Sequence, residues 1–93
     1  MTVRILTICG AGVGTSEILR VAASRVLSRL GIDAEVIATD VDHVQQLAED
    51  AQVILATPEH VKHVGRTYAQ VIVVQNILDQ EELTEKLSDA LLD

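Results

Sequence analysis

Four short runs of this chain are almost continuously apolar: VRILTI (3–8), AEVIAT (34–39), QVILA (52–56) and QVIVVQ (70–75). Strict alternation would mark strands with one wet face. Near-continuous aliphatic runs of this length predict strands covered on both faces, as in a parallel sheet. Between and after the runs the period lengthens. In TSEILRVAASRVLSRLG (15–31), Leu19, Ala22, Ala23, Val26 and Leu30 fall on one side, and Arg20, Ser24 and Ser28 face away, which predicts an amphipathic helix. Glu17 is expected in its first turn, Arg25 and Arg29 near its end and Gly31 just beyond, each favourable for the helix dipole or the C-cap. A shorter helix is expected in DVDHVQQLAED (40–50), and one of two turns in PEHVKHVGR (58–66), opened by Pro58. The last helix, over 79–92, has Leu83, Leu87, Ala90 and Leu91 on its apolar face.

The order is therefore β-α-β-α-β-α-β-α, with connections long enough for the crossovers that parallel strands require. The expected fold is α/β: a four-stranded parallel open sheet of order 2-1-3-4 flanked by helices, a Rossmann-like or phosphatase-like three-layer sandwich. One domain is expected over 1–93, with no linker, repeat or low-complexity segment. In such sheets ligands bind outside the carboxyl ends of the strands, at the switch point beside the first strand.

Composition narrows the function. The hydrophobic content of 48% is ample for a core, but with no Trp or Phe, and Tyr68 the only aromatic, that core must be aliphatic. A net charge of −7 argues against nucleic acid, whose phosphates need clustered Lys and Arg. The acidity gathers in DQEELTEKLSDALLD (79–93), where it reads as a solvated helix face. No apolar run approaches the ~20 residues that cross a bilayer. With MTVR leading straight into the first strand, no secretory signal is expected, and a cytoplasmic location is predicted. A single cysteine, Cys9, excludes an intramolecular disulfide and a Cys-x-x-Cys redox pair. In the cytoplasm it would stay reduced.

Cys9 directly follows the first predicted strand and opens CGAGVGTS (9–16). Gly10, Gly12 and Gly14 remove Cβ atoms that would block close approach of a ligand. Successive N–H groups of such a turn, joined by those of a helix start, form a concave anion site. The same electropositive surroundings favour the thiolate of Cys9. A nucleophile inside an oxyanion cradle suits phosphoryl transfer: amides hold the equatorial oxygens while sulfur attacks in line. A tight turn carrying a spectator thiol is the plain structural alternative.

Spelling separates the competing phosphate motifs. Walker A fails for want of a Lys in the loop. The dinucleotide fingerprint is nearly matched by Gly10, Gly12 and the following residues, with Asp40 after the second strand, but it gives Cys9 no task and needs a longer fold. The cysteine-phosphatase loop, C-x5-R-[ST], would place Arg where Thr15 stands, followed by Ser16. Without a guanidinium clamp on the phosphoryl oxygens, hydrolysis is disfavoured relative to holding and passing on the group.

ICGAGVGTSEIL (8–19), following a short N-terminal strand, resembles the phosphocysteine loop of enzyme IIB components of the bacterial sugar phosphotransferase system (PTS), and the ascorbate and galactitol types more than the cellobiose type. The resemblance covers nearly the whole chain: its length, its βα order and the position of the cysteine. It implies that Cys9 accepts a phosphoryl group from a phosphohistidine on a IIA protein. The group would then pass to a sugar or sugar alcohol carried by a membrane IIC component, with which the chain would associate peripherally. Gly10, Ala11, Gly12, Val13, Gly14, Thr15 and Ser16 would hold the phosphate. No cofactor or metal is expected. A small cysteine-dependent phosphatase and a noncatalytic anion-binding regulatory module are the alternative readings.

Other side chains are expected near the loop. Thr15 and Ser16 can donate to phosphate or cap the helix. Thr57, Pro58 and His60, after the third strand, should rim the same face; His60 and His63 otherwise read as surface histidines. Val13 and Ile18 are candidates for partner contact or for the core.

Overall fold

Strands β1 (Val3–Ile8), β2 (Ala34–Thr39), β3 (Val53–Ala56) and β4 (Gln70–Val73) form one parallel sheet in the order β2-β1-β3-β4. The structure is a computed structural model. It describes residues 3–8, 13–39, 43–64 and 69–92, with the backbone alone described at 13–16 and 63. Helix α1 (Val13–Arg29) follows β1, α2 (Val44–Ala48) follows β2, a 3₁₀ turn (Val61–His63) follows β3, and α3 (Gln80–Leu91) follows β4. The predicted strand order and α/β class are those observed.

Register explains why the strands are apolar on both faces. β1 is central: Ile5 to Ile8 pair with Val36 to Thr39 on one side and with Val53 to Ala56 on the other. Ile5, Val53, Leu55, Ile72 and Val74 meet Leu19, Ala23, Val26 and Leu27 of α1 and Leu83 and Leu87 of α3. The intervening positions Leu6, Ile8, Ile54 and Ala56 meet Val44 and Ala48 of α2, together with Val64 and Ala69. The period of two along each strand thus feeds two separate aliphatic layers.

Three local expectations need correction. Helix α1 starts at Val13, so Val13, Gly14, Thr15 and Ser16 form its first turn rather than part of the loop. Glu17 is therefore past that turn, and it forms an ion pair with Arg20 at 2.6 Å instead of facing the dipole. Over its described residues, 58–64, the predicted two-turn helix over 58–66 does not form. The Thr57 carbonyl accepts from His60 N–H (2.9 Å) and Val61 N–H (3.0 Å), and a 3₁₀ turn follows. Its apolar anchors, Val61 and Val64, are three residues apart, the spacing that a 3₁₀ turn stacks, and the segment is poor in strong helix formers.

The C-terminus of α1 is closed as the sequence suggested. Gly31 has φ +73°, its N–H donates to Ser28 O at 3.1 Å, and Ile32 N–H donates to Leu27 O at 3.0 Å, the paired bonds of a Schellman cap. A Cβ at Gly31 would meet nothing within 4 Å, so only the backbone conformation opposes a side chain there. Gly31→Ala is expected to cost about 1 kcal/mol, a fall in Tm of roughly 4–8 °C in a thermal melt.

Candidate functional site

The crossover helices diverge at the carboxyl end of β1. Helix α1 leaves β1 over one face of the sheet, whereas the segment after β3 packs on the other face. The switch point of the sheet is therefore the gap between β1 and β3, bounded below by Ile8 and its register partner Ala56, both buried. Four residues connect Ile8 to the first residue of α1. They are Cys9, Gly10, Ala11 and Gly12, and these lie outside the described residues, as does Asp40.

What the described backbone places there is a helix end. By the geometry of an α-helix, the N–H groups of Val13, Gly14 and Thr15 have no intrahelical acceptor, and a 17-residue helix about 25 Å long brings its positive end to the same point. The loop candidates thus divide: Val13, Gly14, Thr15 and Ser16 are first-turn residues, the first three with free backbone donors, and Cys9 to Gly12 span the connection in sequence. On the far side of the switch point stand Thr57, Pro58 and His60, in the tight turn that follows β3. Thr57 and His60 are half-buried and Pro58 is exposed.

The other rim of the carboxyl edge is the connection from β4 to α3, held by one carboxylate. Glu82 accepts from the backbone N–H groups of Gln75 (2.7 Å) and Asn76 (2.9 Å) and from Lys86 Nζ (2.7 Å). Lys86 Nζ also donates to Val73 O at 2.5 Å, tying α3 to the end of β4. Asn76 Oδ1 accepts from Leu78 N–H, and Asp79 caps α3 by accepting from Glu81 and Glu82 N–H groups. Burial pushes the Glu82 carboxyl up, but the Lys86 hydrogen bond, the two amide donors and the Lys86 charge outweigh it and hold the group below its ordinary value.

This fixed connection presents Ile77 and Leu78 to the outer side of α1. With Ile18, Val21 and Ala22 they line an open groove of about 370 Å³, bordered by Glu17 and Arg25. Leu78 is 74% exposed, Ile18 48% and Val21 39%, an apolar strip beside the first turns of α1. The partner candidate Ile18 is thus at the surface, and the side chain of Val13 lies outside the description. Val21 and Leu78 were not singled out from sequence. The available signal was the i, i+3 pair Ile18 and Val21, which forms a second apolar stripe outside the core-facing one.

The family described as "PTS system, Lactose/Cellobiose specific IIB subunit" matches residues 4–89. An ascorbate-specific PTS system EIIB component of Shigella sonnei is 30% identical over 92 residues, covering 98% of this chain and 91% of that protein. One of the same name from Mycoplasma pneumoniae is 25% identical over 88 residues, covering 94% and 93%. Among solved structures, the lactose-specific IIB component domain of the phosphoenolpyruvate:carbohydrate phosphotransferase system from Streptococcus pneumoniae superposes with a TM-score of 0.63, at 20% identity, over 99% of this chain and 93% of that one. At that identity the likeness bears on the fold, which the two chains share.

Proposed function

The chain belongs to the PTS lactose/cellobiose-specific IIB subunit family, phosphotransferases of sugar uptake, and from that premise we propose that Cys9 is its transient phosphoryl acceptor. The observation that carries the reading is the start of α1 at Val13: the chain's one cysteine falls between a buried strand end and the positive end of a long helix. Residues 1–93 act as a single phosphocysteine domain in the cytoplasm, meeting a phosphorylated IIA protein and a membrane IIC component in turn.

In the first step the Cys9 thiolate attacks phosphorus in line. The S–P bond forms as the N–P bond of the donor phosphohistidine breaks, and the imidazole nitrogen keeps the electron pair. In the second, a sugar hydroxyl oxygen attacks phosphorus, its proton goes to a base on the acceptor side, and the S–P pair returns to sulfur as thiolate. The amides of Gly10 to Thr15 hold the equatorial oxygens through both steps, with the Thr15 and Ser16 hydroxyls as further donors. Thiolate is a competent nucleophile and leaving group, so the same sulfur serves for loading and unloading. Incubation with a phosphorylated IIA protein should add one phosphoryl group, located on Cys9 by mass spectrometry. Steady release of inorganic phosphate would instead favour the phosphatase alternative. Ascorbate, named in the relatives' specificity, is the acceptor to try first.

The IIA protein is assigned to the strip formed by Ile18, Val21 and Leu78, because that strip begins within two turns of the start of α1, the helix that follows Cys9 in sequence. Exposed positions tolerate charge without loss of fold, so Ile18→Glu and Leu78→Glu should leave Tm nearly unchanged. Each is expected to raise KM for phosphorylated IIA by about tenfold with kcat little altered, as measured by phosphoryl transfer at varied donor concentration.

A further inference from the structure

Thr57 carries a hydroxyl whose position calls for a function. Its oxygen is sealed from solvent, and among the described residues it has no hydrogen-bond partner. The turn that follows β3 uses the Thr57 carbonyl as the acceptor for the N–H groups of His60 and Val61, so the hydroxyl is not consumed as a cap. Native proteins leave few buried polar atoms without partners, and each that remains calls for an explanation, a catalytic role or a bound ion among them.

The location is specific. Ala56 pairs with Ile8 on one side and with Val73 on the other, and the ladder continues one step further, Val74 N–H donating to Ala56 O at 2.8 Å. Thr57 therefore stands beside Val74, whose side chain is buried in the α1–α3 layer, one residue beyond the Ile8–Ala56 pair that borders the switch point. Covalent geometry alone bounds the separation. One Cα–Cα step of about 3.8 Å and one interstrand spacing of about 4.8 Å keep the Cα of Thr57 within about 9 Å of the Cα of Ile8, the residue that Cys9 follows in sequence. That distance is within the combined reach of a phosphorylated cysteine, a threonine side chain and a hydrogen bond.

We infer that the Thr57 hydroxyl donates a hydrogen bond to a phosphoryl oxygen of the anion held at Cys9, adding a donor from the turn after β3 to those of the β1–α1 segment. The inference rests on the phosphocysteine reading for its substrate and adds a catalytic residue to it. The hydroxyl proton has no acceptor among the described residues and gains a charged one when the phosphoryl group arrives. This is the difference between states that favours loading.

The test uses the full chain as wild type, Thr57→Val and Thr57→Ser. One arm titrates inorganic phosphate and reads affinity from the thermal shift. The other reads the rate and the equilibrium share of phosphocysteine against a phosphorylated IIA protein. Thr57→Val keeps the shape and deletes the donor. It should weaken phosphate binding and lower the phosphocysteine share by about tenfold or more, the loss expected for a hydrogen bond to a charged group. In the absence of phosphate its Tm should equal or exceed that of wild type, because an unpaired buried hydroxyl is removed. Thr57→Ser, which restores the donor, should recover most of both quantities. Equal phosphate affinity and equal transfer in wild type and Thr57→Val, with Tm alone changed, would overturn the inference and leave the phosphoryl-carrier function standing. Phosphate binding that depends on Thr57 without any phosphoryl group on Cys9 would do the reverse. A wild type that neither binds phosphate nor takes up the group would overturn both.

Discussion

On the phosphocysteine reading, Cys9→Ala is expected to lower phosphoryl transfer from IIA to the sugar by at least about 10³-fold, since the substitution would remove the atom on which the group is proposed to ride. The effect should be confined to chemistry. Position 9 follows Ile8, beyond the last residue of β1, and the core contacts of that strand are made by Ile5, Leu6 and Ile8. Far-UV circular dichroism and Tm should therefore stay close to those of wild type. The two readouts together separate loss of the nucleophile from loss of the fold. The mass increment of one phosphoryl group should vanish in the same variant. If the increment survives in Cys9→Ala, another residue is the acceptor and the reading of the loop is wrong. If the wild type releases phosphate continuously and Cys9→Ala stops that release, Cys9 is a nucleophile but the protein is a hydrolase. The absence of Arg at Thr15 argues for transfer, because nothing in the loop offers the bidentate clamp on which phosphatase loops rely.

Much of this was legible in the amino-acid order, for identifiable reasons. β1 and β2 have the bounds their apolar runs predict, because both are read from local composition, and a central strand covered on two faces leaves the clearest local signature. Strand order followed from handed crossovers rather than from any residue. The start of α1 was misplaced by two residues because Gly14 argues against helix in propensity. In a first turn that argument weakens, since the N–H groups there have no intrahelical partner to lose. Leu27, which completes the buried face of α1, was not predicted although it is adjacent to Val26, because the apolar side of this helix is wider than one strict stripe. The connection from β4 to α3 was not legible at all. Its shape depends on Glu82 reaching back to Gln75 and Asn76, and no local pattern distinguishes that carboxylate from Glu81 or Glu85. The assignments at Cys9, Gly10, Ala11 and Gly12 rest on sequence and family, with the described strand and helix on either side of them.

Glu82 is accordingly the residue where a surface-looking substitution should have a core-sized effect. Its side chain is only 14% exposed, and it satisfies two backbone amides and one ammonium at once. Glu82→Ala leaves the Gln75 and Asn76 N–H groups without that acceptor and Lys86 with only the Val73 carbonyl. Hydrogen bonds to a charged group contribute about 1.5–3 kcal/mol each, but exposure of Lys86 and re-solvation of the freed amides return part of this. A net loss of about 2 kcal/mol at neutral pH is expected, a fall in Tm of roughly 10 °C for a domain of this size. The pH dependence identifies the cause. The carboxyl is held below its ordinary value of 4.5 in the folded chain, so the unfolded chain binds the proton more readily. The stabilisation is therefore fully present above that ordinary value and is lost as pH falls through the lower, folded-state value. Melting curves of wild type and Glu82→Ala should differ most at pH 7 and converge as the pH falls below 4.5 and through the lower, folded-state value, because protonation of wild type then removes what the mutation removes. A constant difference at all pH values would mean that packing, not the carboxylate, holds the connection. Lys86→Met, which keeps the aliphatic stem, should remove only the part of the effect that depends on the ammonium. The amide contacts set the position of Ile77 and Leu78, so Glu82→Ala should also weaken transfer from the phosphorylated IIA protein at temperatures well below its Tm. A variant with altered stability but unchanged KM for that donor would detach the Leu78 rim from partner recognition.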